Sequence, residues 1–106
     1  MCGIAGLILS SGAAPPDPGV LSKLIASLHH RGPDGSGHAV MGRVALLHNR
    51  LAIIDLVTGD QPFFAGPATL VANGEIYNYR ELRAAMPDAH FATRSDCEPP
   101  LLLCFR

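Results

Sequence analysis

The chain opens "MCGIAG", and Cys2 is the first residue whose position could do chemistry. Initiator methionine is trimmed when the next side chain is small, which would leave one residue bearing both a thiol and a free α-amine. A thiol titrates at about 8.5 and an α-amine at about 7.7–8.0, so one carbon would carry a nucleophile and a general base close to neutral pH. A buried, inert terminal cysteine is the plain alternative. Arg50 lies in the mostly apolar run 44–54, where a guanidinium needs an anion because an unpaired buried charge is very costly. Asp55 or Asp34 could supply that anion, or Arg50 could be a fork for a ligand carboxylate. Asn73-Gly74, followed by Glu75, closes another apolar run. A side-chain amide and an unhindered backbone N–H are suitable oxyanion donors, and Asn-Gly is also the signature of a type I′ hairpin. Asp96 stands before a helix start and could cap it, or its carboxylate could meet another cation.

Other chemistries are excluded by spacing and charge. The five histidines, His29, His30, His38, His48 and His90, match no zinc pattern, so no metal site is expected. "GPDGSG" is glycine-rich but lacks the Lys-Ser/Thr that follows a phosphate-binding loop. Eight basic and nine acidic residues give a net charge of −1 with no basic block, which argues against nucleic-acid and membrane-surface partners. The three cysteines form no paired spacing and no disulfide framework, pointing to a reducing, cytoplasmic compartment. Cys97 and Cys104, seven apart, are expected to share a helix face and pack. Nothing approaches the length of a membrane span.

The elements that must position these residues are legible in outline. At 106 residues and 48% apolar content the chain fits one small domain with a real core. "CGIAGLIL" reads as an apolar strand buried on both faces. "VLSKLIASLHHRG" has helical periodicity and closes on His29, His30 and Arg31 before a terminating Gly32-Pro33. "GHAVMGRVALLHNRLAIIDL" reads as strand, Gly42-Arg43 turn and strand, "TGDQPFFAG" as a loop, and "ATLVANGEI" as a strand. Asn78 with Glu81 suggests a capping box for the helix that follows. Glu98, before a proline, is expected away from helical angles, and Pro99-Pro100 can open a final helix.

Taken in order, "MCGIAG", "HRGPDGSG", "LLHNRLAIIDL", "GDQPF", "VANGEIYNYRELR" and "TRSDCE" resemble the class II glutamine amidotransferase group of N-terminal nucleophile hydrolases, in its asparagine-synthetase branch. The resemblance covers nearly the whole chain; Pro99-Pro100 departs from the usual apolar residues after its last motif. It implies an α+β fold, a four-layer αββα sandwich of which residues 1–106 form the N-terminal part, incomplete at the C-terminus. It also implies a glutaminase with Cys2 as nucleophile and Asn73 and Gly74 as oxyanion donors. Arg50 would grip the substrate α-carboxylate, backbone from Leu51, Ala52, Ile53 and Ile54 would line the pocket, and Glu75 and Asp96 would take the α-ammonium. No cofactor is implied in this segment; ATP and Mg2+ belong to a synthetase domain or subunit that would receive the ammonia and activate aspartate, in a full-length enzyme expected to form a homodimer. Residues 1–106 alone are then expected to be poorly active. A glutaminase serving another acceptor, as in antibiotic or exopolysaccharide amidotransferases, and an inactive glutamine-binding fragment remain alternatives.

Overall fold

The computed structural model describes residues 2–52 and 58–106. It is a small mixed α/β architecture built on two antiparallel sheets. β1 (Gly3–Ile8), β2 (Gly35–Met41) and β3 (Val44–Arg50) form the larger sheet in the order β1-β3-β2. The register pairs Gly3 with Asn49 and Ile8 with Val44 on one side, and Gly35 with Arg50 and Met41 with Val44 on the other. Gly42, at a φ of 60°, supplies the left-handed residue that the tight β2–β3 turn needs.

One face of this sheet is covered by α1 (Pro18–Ser27). Leu21 of α1 packs on Ala45 and Leu47, with Ala5, Leu7, Leu24 and Ile25 around them. Asp17 caps the helix by accepting from the Gly19 N–H at 2.8 Å, and Pro18 sits where no donor is required. The helix ends at Ser27, four residues short of the extent its periodicity predicts. Leu28 and His29 close it with bonds to carbonyls three residues back, so the two histidines and Arg31 lie in a following turn. Gly32 therefore does not act as a left-handed helix terminator. A Cβ there would collide with the Asn49 backbone, so the glycine permits a close crossing of the chain over β3.

The opposite face explains why β1 is not buried on both sides. Ile4 and Ile8 point away from α1 and are exposed, Ile8 at 79%. The second sheet and the residues flanking it meet this face on the β2 side. There the Gly37 position faces the Gln61 carbonyl, and Thr69 bonds the Met41 sulfur. That second sheet pairs β4 (Phe63–Ala65) with β5 (Ala68–Leu70) around Gly66, at a φ of 54°. β4 thus lies within a segment predicted as loop, and the predicted strand 68–76 keeps ladder pairing only over β5. Likewise, the predicted loop 32–37 yields Gly35 and Ser36 to β2, and β3 stops at Arg50 before Leu51 and Ala52.

The remaining helices are short. α2 (Tyr79–Ala84) begins after Asn78, whose side chain makes no capping bond, so the capping box does not form. α3 (Pro99–Leu103) starts on its two prolines and packs Leu101 with Phe63 and Cys97 against the second sheet. Cys97 precedes α3, so it shares no helix face with the exposed Cys104. Glu98 has helical angles (φ −74°, ψ −39°) despite the following proline. Its buried carboxylate overrides that preference by accepting from the N–H groups of Ala92 and Thr93 at 2.7 and 2.8 Å, from the Thr93 hydroxyl, and by lying 3.7 Å from Arg83. Arg83 also stacks over Phe91 and donates to the Ser95 carbonyl at 2.7 Å.

Two expectations follow. Glu98→Ala leaves the Ala92 and Thr93 N–H groups without their acceptor and removes the anion beside Arg83, and should cost about 2–4 kcal/mol in urea unfolding. His48, almost wholly buried, has its pKa lowered from the ordinary 6.5, chiefly by burial, with Arg50 adding to it and the Ala72 carbonyl and Asp60 opposing. The unfolded chain then binds this proton more readily, so the stabilisation is full above pH 6.5 and is lost as pH falls below it. Melting temperatures between pH 7.5 and 5 should fall less steeply for His48→Gln than for the wild type.

Candidate active site

The C-terminal end of β3, the N-terminal end of β1 and two irregular segments, 72–77 and 95–97, converge on one cavity of about 300 Å3. Because β1 and β3 are antiparallel and Gly3 pairs with Asn49, the start of one strand and the end of the other must be neighbours. This register brings Cys2 beside Arg50 and Leu51. The Leu51 N–H donates to Cys2 Sγ at 3.2 Å, the thiol lies 3.6 Å from the Leu51 carbonyl, and Arg31 Nε donates to the Cys2 carbonyl at 3.2 Å. The nucleophile candidate is half-buried and tethered at both its carbonyl and its sulfur.

Arg50 is 6% exposed and lines the cavity. Its Nη1 donates to Asp60 Oδ1 at 3.1 Å, an aspartate whose own side chain is 78% exposed. Asp34, one partner considered from the sequence, instead accepts from the Ala52 N–H at 2.8 Å. The other, Asp55, lies outside the described residues, as do Ile53 and Ile54. Leu51 lines the cavity; Ala52 does not.

Asn73 and Gly74 sit in the opposite wall, both exposed to the cavity. The hairpin reading of this pair fails: Gly74 is not at positive φ and no strand returns from it. A Cβ built at Gly74 would meet no atom, so the missing side chain relieves no crowding within the protein and leaves the cavity wall open. Glu75 lines the same wall. Asp96 is buried, lines the cavity, and accepts from the Ile76 N–H at 2.7 Å, so it ties two segments together and does not cap α3. One basic and two acidic side chains therefore line a single half-open cavity with a thiol, an arrangement suited to a small zwitterion and a nucleophilic attack on it.

The sequence reading missed six contributors: Gly59, Gln61, Ala72, Tyr77, Ser95 and Cys97 also line the cavity. Gln61 and Cys97 stood inside quoted motifs, but nothing local marks a side chain as facing a distant segment. Tyr77, 88% exposed, stands at the rim. Burial pushes the Cys97 thiol up to about 12, with the Asp96 carboxylate as the next contributor, and its sulfur lies 3.6 Å from the Gly74 carbonyl. Among the described residues, no three His, Cys, Asp or Glu side chains gather to hold a metal ion, and no helix is long and apolar enough to cross a membrane.

The fold and cavity are those of a small α/β domain with a pocket lined by a thiol, a guanidinium and two carboxylates, and comparison with known proteins gives that class a family. The glutamine amidotransferase domain family matches residues 1–105, so this chain belongs to it. Its similarity runs to glutamine-hydrolysing asparagine synthetases: 44% identity over 100 residues with that of Asparagus officinalis, 40% over 104 with the second enzyme of Bacillus subtilis, and 41% over 101 with the first of Saccharomyces cerevisiae. These alignments cover 92%, 92% and 93% of this chain but only 17%, 14% and 18% of the relatives, so the chain spans about a sixth of their length.

The buried thiol of Cys97 and the exposed thiol of Cys104 should separate under alkylation. At pH 7–8 a thiol held near 12 stays protonated and unreactive. Peptide mapping after brief iodoacetamide treatment should find exposed Cys104 modified and Cys97 unmodified until the chain is denatured.

Proposed function

We propose that this chain carries out the glutaminase half-reaction of a glutamine-dependent amidotransferase of the asparagine-synthetase type. The observation that carries the reading is the single cavity uniting Cys2, Arg50, Asn73, Gly74, Glu75 and Asp96. Removal of Met1, which lies outside the described residues, frees the α-amine of Cys2. That amine takes the thiol proton, and the thiolate attacks the carboxamide carbon of glutamine. The Asn73 amide and the Gly74 N–H hold the resulting oxyanion. The C–N bond breaks as the α-ammonium returns its proton to the departing ammonia, leaving a thioester on Cys2. Water then attacks the thioester, releases glutamate and restores the thiol. Arg50 grips the substrate α-carboxylate with its planar fork, with Leu51, Ala52, Ile53 and Ile54 alongside, while Glu75 and Asp96 take the α-ammonium.

The scaffold we infer is the N-terminal part of a four-layer αββα sandwich. It is supported by α1 on the larger sheet, the smaller sheet against the other face at Gly37 and Met41, and α3 on the smaller sheet. In that reading residues 1–106 are an incomplete amidotransferase domain, poorly active by itself. The ammonia passes to an ATP- and Mg2+-dependent synthetase domain or subunit that activates aspartate, in a homodimeric, cytoplasmic protein. No cofactor belongs to this segment. Three free thiols fit a reducing compartment.

The test is made in the longest natural chain that carries this sequence. Cys2→Ala should abolish ammonia release from glutamine. Asn73→Ala should lower kcat by about 10²–10³, as for the loss of one oxyanion donor. Arg50→Lys should chiefly raise KM, since a point charge replaces a bidentate fork. Intact mass should show Met1 absent from active protein. Glutamine binding without turnover in the wild type would sink the proposal, and an Asn73→Ala effect confined to KM would overturn the oxyanion assignment.

A further inference from the structure

The wall carrying Asn73 and Gly74 belongs to neither sheet, because β5 ends at Leu70 and α2 begins only at Tyr79. Its backbone groups have no ladder to satisfy them, and buried ones must find partners elsewhere. Ala72, the residue immediately before Asn73, is held on both of its polar groups by side chains. Its N–H donates to Gln61 Oε1 at 2.6 Å, and its carbonyl lies 3.2 Å from His48 Nε2. A carbonyl can only accept, so the imidazole proton is on Nε2. Both clamping side chains are buried.

The two clamps share a foundation. His48 stands in the central strand β3, directly opposite Gly37 of β2. Gly37 in turn leaves the space that the Gln61 backbone carbonyl occupies, since a Cβ at position 37 would strike that oxygen. Residue 72 is therefore referenced to the larger sheet through two independent routes. Cys2 is referenced to the same sheet, because it precedes β1, which pairs with the other side of β3.

We propose that Gln61 and His48 are positioning residues for glutamine hydrolysis: by holding both polar groups of Ala72 they set where Asn73 and Gly74 stand relative to Cys2. This rests on the function proposed above. Neither side chain takes part in bond making; each acts through the peptide it holds. Oxyanion donors must be placed within roughly 0.5 Å to be effective, and a misplacement of about 1 Å can lower a rate by on the order of 10²-fold. Of the charged groups assigned to the substrate, Arg50 and Asp96 are carried by other segments, and Glu75 stands next to Ile76, whose N–H is held by Asp96 and not by the Ala72 clamps. Loosening Ala72 should therefore slow turnover more than it weakens binding.

Three variants test this in the longest natural chain carrying the sequence, with two readouts. Gln61→Met keeps side-chain length but offers no oxygen, Gln61→Glu keeps an acceptor at the same reach, and His48→Gln keeps an N–H donor. The first readout is amide hydrogen exchange over residues 71–76, which needs no catalysis. Gln61→Met should speed exchange of the Ala72 amide about five- to tenfold, the effect of one lost hydrogen bond, while the amides of β3 stay protected. The second is steady-state glutamine hydrolysis, where Gln61→Met should lower kcat by about ten- to hundredfold with KM within about twofold. Gln61→Glu and His48→Gln should each recover most of kcat. Unchanged exchange and unchanged kcat in a folded Gln61→Met variant would overturn the proposal, as would a loss of protection spread through β3 with kcat and KM changing together. If Gln61→Met does not fold, failure of both Gln61→Glu and His48→Gln to retain kcat while folded would overturn it equally. A wild type that hydrolyses no glutamine would refute the proposed function, and the exchange result would still decide whether Gln61 holds Ala72.

Discussion

The hydrogen bond from the Ala72 N–H to Gln61 Oε1 is the constraint on which the Asn73–Gly74 wall of the cavity depends. A chain that leaves a sheet must still satisfy its backbone donors and acceptors, and here side chains from distant segments do so. Gln61 and His48 hold residue 72, Asp96 holds the Ile76 N–H, and the Cys97 thiol lies at the Gly74 carbonyl. The result is a wall free of ladder pairing, so its inner surface is open, yet tied at both ends to buried groups. A strand paired on both sides could not offer the same surface, because its N–H groups would be occupied by its neighbours.

The same economy appears at Glu98, where one carboxylate satisfies two backbone donors and a hydroxyl and faces Arg83. This fixes the 91–98 segment and thereby delivers Ser95, Asp96 and Cys97 to the cavity. Burying a charge is costly unless it is paired and hydrogen-bonded. Both buried carboxylates near the cavity are hydrogen-bonded by backbone N–H groups, and Glu98 also faces Arg83. Arg50 meets part of that condition with Asp60, an exposed partner whose attraction is weakened by solvent.

Glycine acts here mainly as a spacing device. Gly32 lets the chain cross the Asn49 backbone, and Gly37 admits the Gln61 carbonyl against the sheet. Gly74 relieves no contact within the protein, which sets it apart from both. Three glycines in similar polar contexts thus differ in what a side chain would meet, and only the one in the cavity wall would meet open space.

Much of this was legible in the sequence, and for a definite reason. A short apolar run, period-3.6 spacing and a Gly42-Arg43 turn specified β1, α1 and the β2–β3 hairpin, because each depends on neighbours within one element or across one tight turn. The unusual residues were legible too: Cys2, Arg50, Asn73, Gly74, Glu75 and Asp96 stood out because a charge or thiol in an apolar run demands an explanation. What the sequence could not determine was every relation carried by long-range contact. The end of α1, the three-residue β4 and β5, the helical angles of Glu98 and the failure of the Asn78 capping box are outcomes of tertiary bonds that override local preference. Arg50 bonds Asp60, an aspartate the sequence did not single out, and Gln61 and Cys97 line the cavity. A side chain's type is local, but its partner is chosen by which backbone groups the packed chain leaves unsatisfied, and that exists only once the sheets have been brought together.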